Sequence, residues 1–306
     1  MPLFIRPLPC KSKGAIIDKK SVPPGIDLYN PSRADTIIYI RKTARTGNTF
    51  INSAVLHDSA KQATYEIDSP WALLKPCDSL FKGVEDLRIV RWNSDLWFAG
   101  TCTHASSHLI NDLIVGKFDK ALSKVETLSV VDICSLPVKN VCPFVYRDQL
   151  CLLDIGLMKI YELGIDEDNG EISVKHTVPL SWGTSGLEKS AVGGADKMVN
   201  LKLRGSTSPV HLHGNVWGCV AHDIIFNNSK ALVTRLSYLH HWIEFDISTG
   251  LVSFVSTPFW ILHWGIEYVS GIHMDATTKG ITLYFGVNDE APMQCETTLS
   301  DLRCGY

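Results

Sequence analysis

Short apolar runs alternate with turn residues along most of the chain. They fall at 36–41, 87–92, 96–102, 113–118, 144–153, 159–163, 216–222, 232–236, 241–246, 251–254 and 281–287. Their lengths, and their content of β-branched and aromatic residues, match a pleated, half-buried surface. Asn, Asp, Ser and Gly gather between them. Trp92-Asn93-Ser94-Asp95, Arg147-Asp148-Gln149, Asp166–Gly170, Asp246–Gly250 and Asp275–Gly280 carry the residues that close hairpins. The pattern predicts an all-β chain.

Hairpins spread over the whole length suggest sheets repeated around an axis, an arrangement that leaves only short edges exposed. At about 50 to 60 residues per unit, within the longer repeat periods of propellers, the chain accommodates a five-bladed β-propeller. A closed β-sandwich is the competing architecture. The segment 1–27 reads as an extended lead-in and 28–306 as a single propeller domain. Residues 181–200, rich in Gly and Ser, read as a long loop of the kind that carries function.

Composition narrows the classes. The chain has 306 residues, 45% apolar and 20% charged, which suits a soluble globular domain. A net charge of −3 without a basic stripe excludes the electrostatic footprint of a nucleic-acid binder. No window reaches the length of a membrane span, and the first residues lack a signal-peptide core, so a cytoplasmic protein is expected. Nine cysteines without a C-x-x-C pair read as reduced thiols. No P-loop, G-x-S-x-G elbow or dinucleotide fingerprint is present, and no cofactor is expected. His240 and His241 have no third ligand at a recognisable spacing, so no metal is expected either.

Candidate chemistry concentrates at strand ends. In Gly83-Val84-Glu85-Asp86-Leu87-Arg88, strict alternation sends Asp86 and Arg88 to one face and Glu85 to the other. A carboxyl group near an arginine can position a sugar hydroxyl or relay a proton; the alternative is an ion pair that locks a blade entry. Lys202, Arg204 and His222, around Gly205 and the hydroxyls of Ser206–Ser208, suit a phosphate; the alternative is a solvated turn beside a core histidine. Trp260, His263, Trp264 and Glu267 form an aromatic and polar group, and Asn288 and Asp289 follow the strand 281–287. Glu267 and Asp289 are candidates for orienting sugar hydroxyls.

Taken in order, these segments resemble the five-bladed propeller superfamily of glycoside hydrolase family 130, the β-mannoside phosphorylases and hydrolases, with the related β-mannosyltransferases. Asn30-Pro31-Ser32 with the strand ending at Arg41 is similar to the first-blade motif. Gly83–Arg88 resembles G-x-E-D-P-R, and Lys139–Phe144 resembles K-N-W-x-P-F. Arg204–Pro209 to His222 resembles the Gly-rich turn, strand and histidine, and Gly265–Tyr268 to Phe285–Asp289 the closing segments. The resemblance implies that Asp86 is the proton donor and that Lys202, Arg204 and His222 hold phosphate. It implies that Arg41, Arg88, Asn140, Glu267 and Asp289 bind substrate. Leu87 stands where the motif has proline, and Asp154 or Ile155 where phosphorylases place an arginine. That departure points away from inorganic phosphate.

The expectation is therefore a glycosyl-transferring enzyme acting on a β-linked, mannoside-like sugar. Its partners would be a sugar donor (a nucleotide sugar or a sugar phosphate) and a glycan acceptor. One alternative is a β-glycoside phosphorylase or hydrolase. Another is a non-catalytic propeller that binds glycan or protein.

Overall fold

The structure is a computed structural model that describes residues 6–18, 23, 24, 26–46, 49–67, 81–103, 111–133, 139–166, 170–182, 203–227, 235–262 and 265–303. Among the described residues it is almost wholly β, with one short helix, Leu299–Arg303. Four sheets have the up-and-down strand order of a propeller blade. The first comprises Ile26–Ala34, Ile37–Thr46, Thr49–Asp58 and Ala63–Ile67, with Phe81–Lys82 added beside the third strand. The second comprises Glu85–Trp92, Asp95–Thr103, Asn111–Phe118 and Val125–Val131. The third runs through Cys142–Tyr146, Gln149–Asp154, Lys159–Ile165 and Ile172–Pro179. The last contains Glu267–Met274, Gly280–Val287 and Ala291–Thr298, with Lys11–Ala15 outermost.

The remaining sheet breaks the pattern. Between the third sheet and the last lies an eight-stranded sheet built on two long strands, Val216–Asn227 and Arg235–Asp246. Shorter pieces flank them, including Arg204–Gly205, Val210–His213 and Leu251–Val255. The sequence predicts five equal blades; the structure has four regular ones and this irregular sheet. The reason is local, since Arg204–Gly205 and Val210–His213 pair with successive parts of one long strand where a regular blade would use a single partner.

Apolar clusters fill the spaces between neighbouring sheets. Leu56 and Ile89 meet between the first and second, Trp97 and Leu152 between the second and third, and Phe144 and Phe245 between the third and fourth. Trp242 and Phe285 meet between the fourth and last, and Ile40 and Tyr284 between the last and first. The ring is thus continuous. Strands from near the two ends of the chain close it, because Lys11–Ala15 pairs antiparallel with Ala291–Thr298 and Arg6–Pro7 pairs parallel with Phe259–Trp260. Buried Arg6 donates from Nη2 to the Asp301 carbonyl at 2.6 Å, tying this segment to the helix.

Turn chemistry follows the sequence. Asn93 and Ser94 have φ of 49° and 66°, and Arg147 and Asp148 have 49° and 58°. Positive φ at both central residues is the I′ geometry whose twist matches two-residue hairpins. Asp246 Oδ1 accepts from the Ser248 and Thr249 amides at 2.8 and 3.1 Å, and Asp275 Oδ1 does the same for Thr277 and Thr278.

Three of the strands that face the axis are irregular. The first sheet gains one residue between Tyr29 and Ser32, the second between Glu85 and Arg88, and the last between Val269 and Gly271. Such bulges re-aim side chains, and here they also dock on one another. Ser270 Oγ donates to the Pro31 carbonyl at 2.8 Å, and the Ile89 amide donates to Ser32 Oγ at 3.1 Å.

The contact between the last and first sheets leaves no room for a side chain at Gly271, where a Cβ would lie 2.8 Å from both the Pro31 oxygen and Ser32 Cα. Gly271→Ala is expected to lower stability by about 1–3 kcal/mol through overpacking. Chemical denaturation measures this; an unchanged midpoint would contradict the docking of the two bulges.

Candidate active site at the propeller axis

Every sheet, or the segment leading into it, contributes to one polar cluster. Asn30 and Arg41 come from the first, Glu85, Asp86 and Arg88 from the second, and Asn140 from the lead into the third. His222 and Tyr238 come from the eight-stranded sheet, Ser206 from the segment just after its strand Arg204–Gly205, and Tyr268 from the last. Asn30, Asp86 and Asn140 share a device: each has left-handed backbone, with φ of 51°, 50° and 60°. Asn and Asp tolerate that conformation better than other side-chain-bearing residues.

Arg88 is the centre of the cluster and is fully buried. Its Nε donates to the Ser206 carbonyl at 2.6 Å, Nη1 to the Asp86 carbonyl at 2.7 Å, and Nη2 to Tyr268 Oη at 2.6 Å. Tyr268 in turn donates to Asn140 Oδ1 at 2.7 Å. One guanidinium therefore links three sheets and, through Tyr268, the segment leading into a fourth. Gly205 permits this closeness, since a Cβ there would sit 2.3 Å from the Asn140 carbonyl oxygen.

The bulge changes the aim predicted for the acidic pair. With Asp86 left-handed, Glu85 and Asp86 both meet Arg41, against the opposite faces expected from alternation. Arg41 Nη1 lies 3.3 Å from Asp86 Oδ1 and Nη2 lies 3.6 Å from Glu85 Oε1. Its Nε donates to Asn52 Oδ1 at 3.0 Å, and its guanidinium carbon lies 4.9 Å from the Tyr29 ring centroid. Asn30 Nδ2 donates to Asp86 Oδ1 at 3.0 Å.

The two carboxyl groups differ. Burial acts to raise the Asp86 pKa, but Arg41, Arg88, Lys139 and the Asn30 hydrogen bond together hold it below the usual carboxylate value. For Glu85, burial outweighs Arg41, and the neighbouring Asp86 charge pushes the same way, so its pKa is raised. Asp289, at the exposed turn Asn288-Asp289, is also raised, by partial withdrawal from water and by Asp86, against Arg41. It belongs to the same electrostatic neighbourhood.

The expected phosphate group divides. His222 is buried, with Nδ1 2.7 Å from Ser206 Oγ and its ring centroid 5.1 Å from that of Tyr268 and 5.5 Å from that of Tyr238. Burial, then His240, Arg204 and Arg88, hold its pKa well below the ordinary value, so it is a neutral ring. Arg204 pairs with His222 across the ladder and is exposed. Lys202 lies outside the described residues, as do His263 and Trp264. The sequence reading assigns no role to Lys139, which is exposed and acts electrostatically on both Glu85 and Asp86.

Glu267 is not brought into the cluster. It is buried, and its two carboxylate oxygens accept the Ile261 and Leu262 amides at 2.9 Å each. Its neighbour Tyr268 points to the axis, as strand alternation requires. Asn30, Glu85, Tyr238 and Tyr268 belong to the cluster but are not singled out by sequence reasoning; at Asn30 and Glu85 a bulge decides which side chains turn inward. Among the described residues no group of three His, Cys, Asp or Glu side chains could hold a metal ion. Among the described residues no helix is long and apolar enough to cross a membrane, and Cys10, Cys102, Cys142, Cys151, Cys219 and Cys295 are free.

A ring of twisted sheets with a polar axial site defines the class: the chain has the β-propeller fold shared by mannoside phosphorylases and mannosyltransferases. No family model and no curated protein sequence matches the chain. Solved structures do. A mannose phosphorylase from Leishmania mexicana, in complex with phosphate, is 14% identical, with a TM-score of 0.54 over 91% of this chain and 86% of that one. A GDP-Man-dependent mannosyltransferase from Leishmania mexicana is 13% identical, with a TM-score of 0.57 over 91% of this chain and 87% of the other. A structure from the GH130 family, described as containing hydrolases that target β-1,2 mannosidic linkages in Candida mannan, is 10% identical, with a TM-score of 0.53 over 90% and 85%.

The buried histidines set the acid response of this centre. Burial lowers the pKa of His240 to about 3 and lowers those of His222 and His241 as well. Below about pH 6.5 the unfolded chain takes up protons that the folded chain refuses, so stability falls as pH falls. His240 Nε2 accepts the Val269 amide at 3.2 Å, a bond that a glutamine can replace. His240→Gln is expected to reduce the pH slope of unfolding free energy between about pH 6 and pH 4 by about one proton. An unchanged slope would contradict a neutral, buried His240.

Proposed function

We propose that the chain is a glycosyl-transferring enzyme acting on a β-linked, mannoside-like sugar, with the irregular eight-stranded sheet serving as the fifth blade. The observation that carries this reading is Asp86 in a polar cluster at the centre of the sheets, its carboxylate, with a lowered pKa, held by Arg41 and Asn30 and its backbone carbonyl held by buried Arg88. Around it, Arg41, Asn140 and Asp289 supply donors and acceptors for sugar hydroxyls, and the Tyr238 and Tyr268 rings supply apolar faces. Arg88 supports the site by orienting Asp86 and Tyr268. Arg204 and Lys139, both exposed, face the phosphate of a nucleotide sugar or sugar phosphate, with Lys202 as a further cation and neutral His222 as a hydrogen-bonding partner. A glycan is the acceptor.

Asp154 favours transfer or hydrolysis over phosphorolysis. It lies at the end of a strand that contacts Arg204–Gly205, and it is buried, with a pKa raised by burial against the Leu157 and Gly156 amides. A carboxyl group there opposes an inorganic phosphate dianion.

Two outcomes test the reading. Asp86→Asn is expected to lower kcat/KM on a β-mannoside or nucleotide-sugar donor by about 10²–10⁴-fold with the fold intact, the range of a lost acid or base; full turnover would contradict it. Inorganic phosphate is expected to leave the rate of product release from a β-mannoside unchanged, whereas a phosphate-dependent sugar 1-phosphate product would establish a phosphorylase.

A further inference from the structure

Two thiols meet where strands from near the two ends of the chain close the ring. Ser12 pairs with Cys295 across the ladder between Lys11–Ala15 and Ala291–Thr298, so Cys10, two residues before Ser12, falls on the same side of the sheet. Both pack into one apolar cluster, Cys295 buried and Cys10 partly exposed. The Cys295 thiol donates a hydrogen bond to the Cys10 sulfur. Cys10 stands just ahead of the paired strand, after Pro9, whose carbonyl accepts from Thr297 Oγ1 at 2.9 Å. It also lines a cavity of 730 Å³ beside Lys11, His273 and Thr297, which gives a small molecule access to its sulfur. We propose that Cys10 and Cys295 form a redox-active dithiol, oxidised to a disulfide that staples the closing strand to the last sheet. The pair lies apart from the axial site, and its role is independent of the glycosyl-transfer reading.

The hydrogen bond from Cys295 lowers the Cys10 pKa against burial and the Glu267 and Asp301 charges, and the same bond, with burial, raises that of Cys295. A reachable thiolate with a resolving thiol beside it is the arrangement that exchanges with disulfides. Cys142, Cys151 and Cys219, by contrast, are buried, and burial raises the pKa of each. Oxidised glutathione, a small disulfide, serves as the oxidant. The Cys10 thiolate, having given its proton to solvent, attacks one glutathione sulfur; the glutathione S–S bond breaks and one thiolate leaves. Cys295 gives its proton to that thiolate, and its sulfur attacks the Cys10 sulfur. The second glutathione thiolate leaves and takes back the proton that Cys10 gave to solvent. Two protein thiols are thereby oxidised to one disulfide, and one oxidised glutathione is reduced to two thiols.

A bond between Cys10 and Cys295 encloses almost the whole chain in one loop, and the longer the loop, the more freedom the unfolded chain loses. The test incubates the full chain with oxidised glutathione, then follows thermal unfolding and maps the peptides without reductant. Oxidation is expected to raise Tm by about 4–10 °C and to yield a linked peptide pair holding Cys10 and Cys295, both reversed by dithiothreitol. Cys10→Ser, at the partly exposed thiol, is expected to fold and to lose the Tm shift and the link. Cys295→Ala, which keeps the buried position apolar, is expected to do the same. An unchanged Tm in the oxidised wild type, glutathione retained on Cys10 as a lasting mixed disulfide, or a link between other cysteines overturns the proposal.

Discussion

The axis of this molecule depends on one buried cation. Arg88 has no exposed surface, and its partners are backbone carbonyls and a tyrosine hydroxyl rather than a direct carboxylate ion pair. Removing a guanidinium from water costs several kcal/mol, and a full set of hydrogen bonds offsets that cost only where the surroundings are fixed. The bulges at Asn30, Asp86 and Ser270 provide that rigidity, because each bulge is docked against a neighbouring sheet. The same constraint gives Asp86 its left-handed backbone: its carbonyl turns toward Arg88 while its carboxylate turns toward Arg41.

From this follows the electrostatic character of the centre. One buried cation, Arg41, contacts the Asp86 carboxylate while Arg88 acts on it at longer range, and the second carboxyl group, Glu85, is left with a weaker share of Arg41. Tyr268 and His222 remain uncharged, the first because burial raises its pKa well above the ordinary value and the second because burial lowers its own. The interior is therefore polar without being uniformly charged. Such preorganised dipoles and ions act on charge that develops in a transition state without having to reorganise.

Much of this was legible in the sequence. Apolar runs and turn residues gave the strands and hairpins, and the I′ turns at Asn93-Ser94 and Arg147-Asp148 fell where their residue types placed them. Polar strands were missed: Lys11–Ala15 is mostly exposed, and Ile172–Pro179 alternates too weakly to register as a run. Asp86, Arg88, Arg41 and Asn140 stand out in the sequence as charged or amide residues at strand ends, and the structure brings them into one cluster. Glu267 turns to the Ile261 and Leu262 amides while the next residue, Tyr268, meets Arg88 and Asn140, because a shift of one residue inverts a strand's two faces. The pairing of Glu85 with Asp86 was hidden because a bulge leaves no mark in a hydrophobic pattern. The four regular blades and the eight-stranded sheet differ through long-range pairing, which a single sequence does not display.

The most direct test of the account is a crystal structure of the chain soaked with methyl β-mannoside. The account predicts the sugar at the axis, with hydroxyls on Asp86 and Asn140 and a ring face against Tyr238 or Tyr268. A sugar bound elsewhere, or an empty axis at saturating concentration, would contradict it.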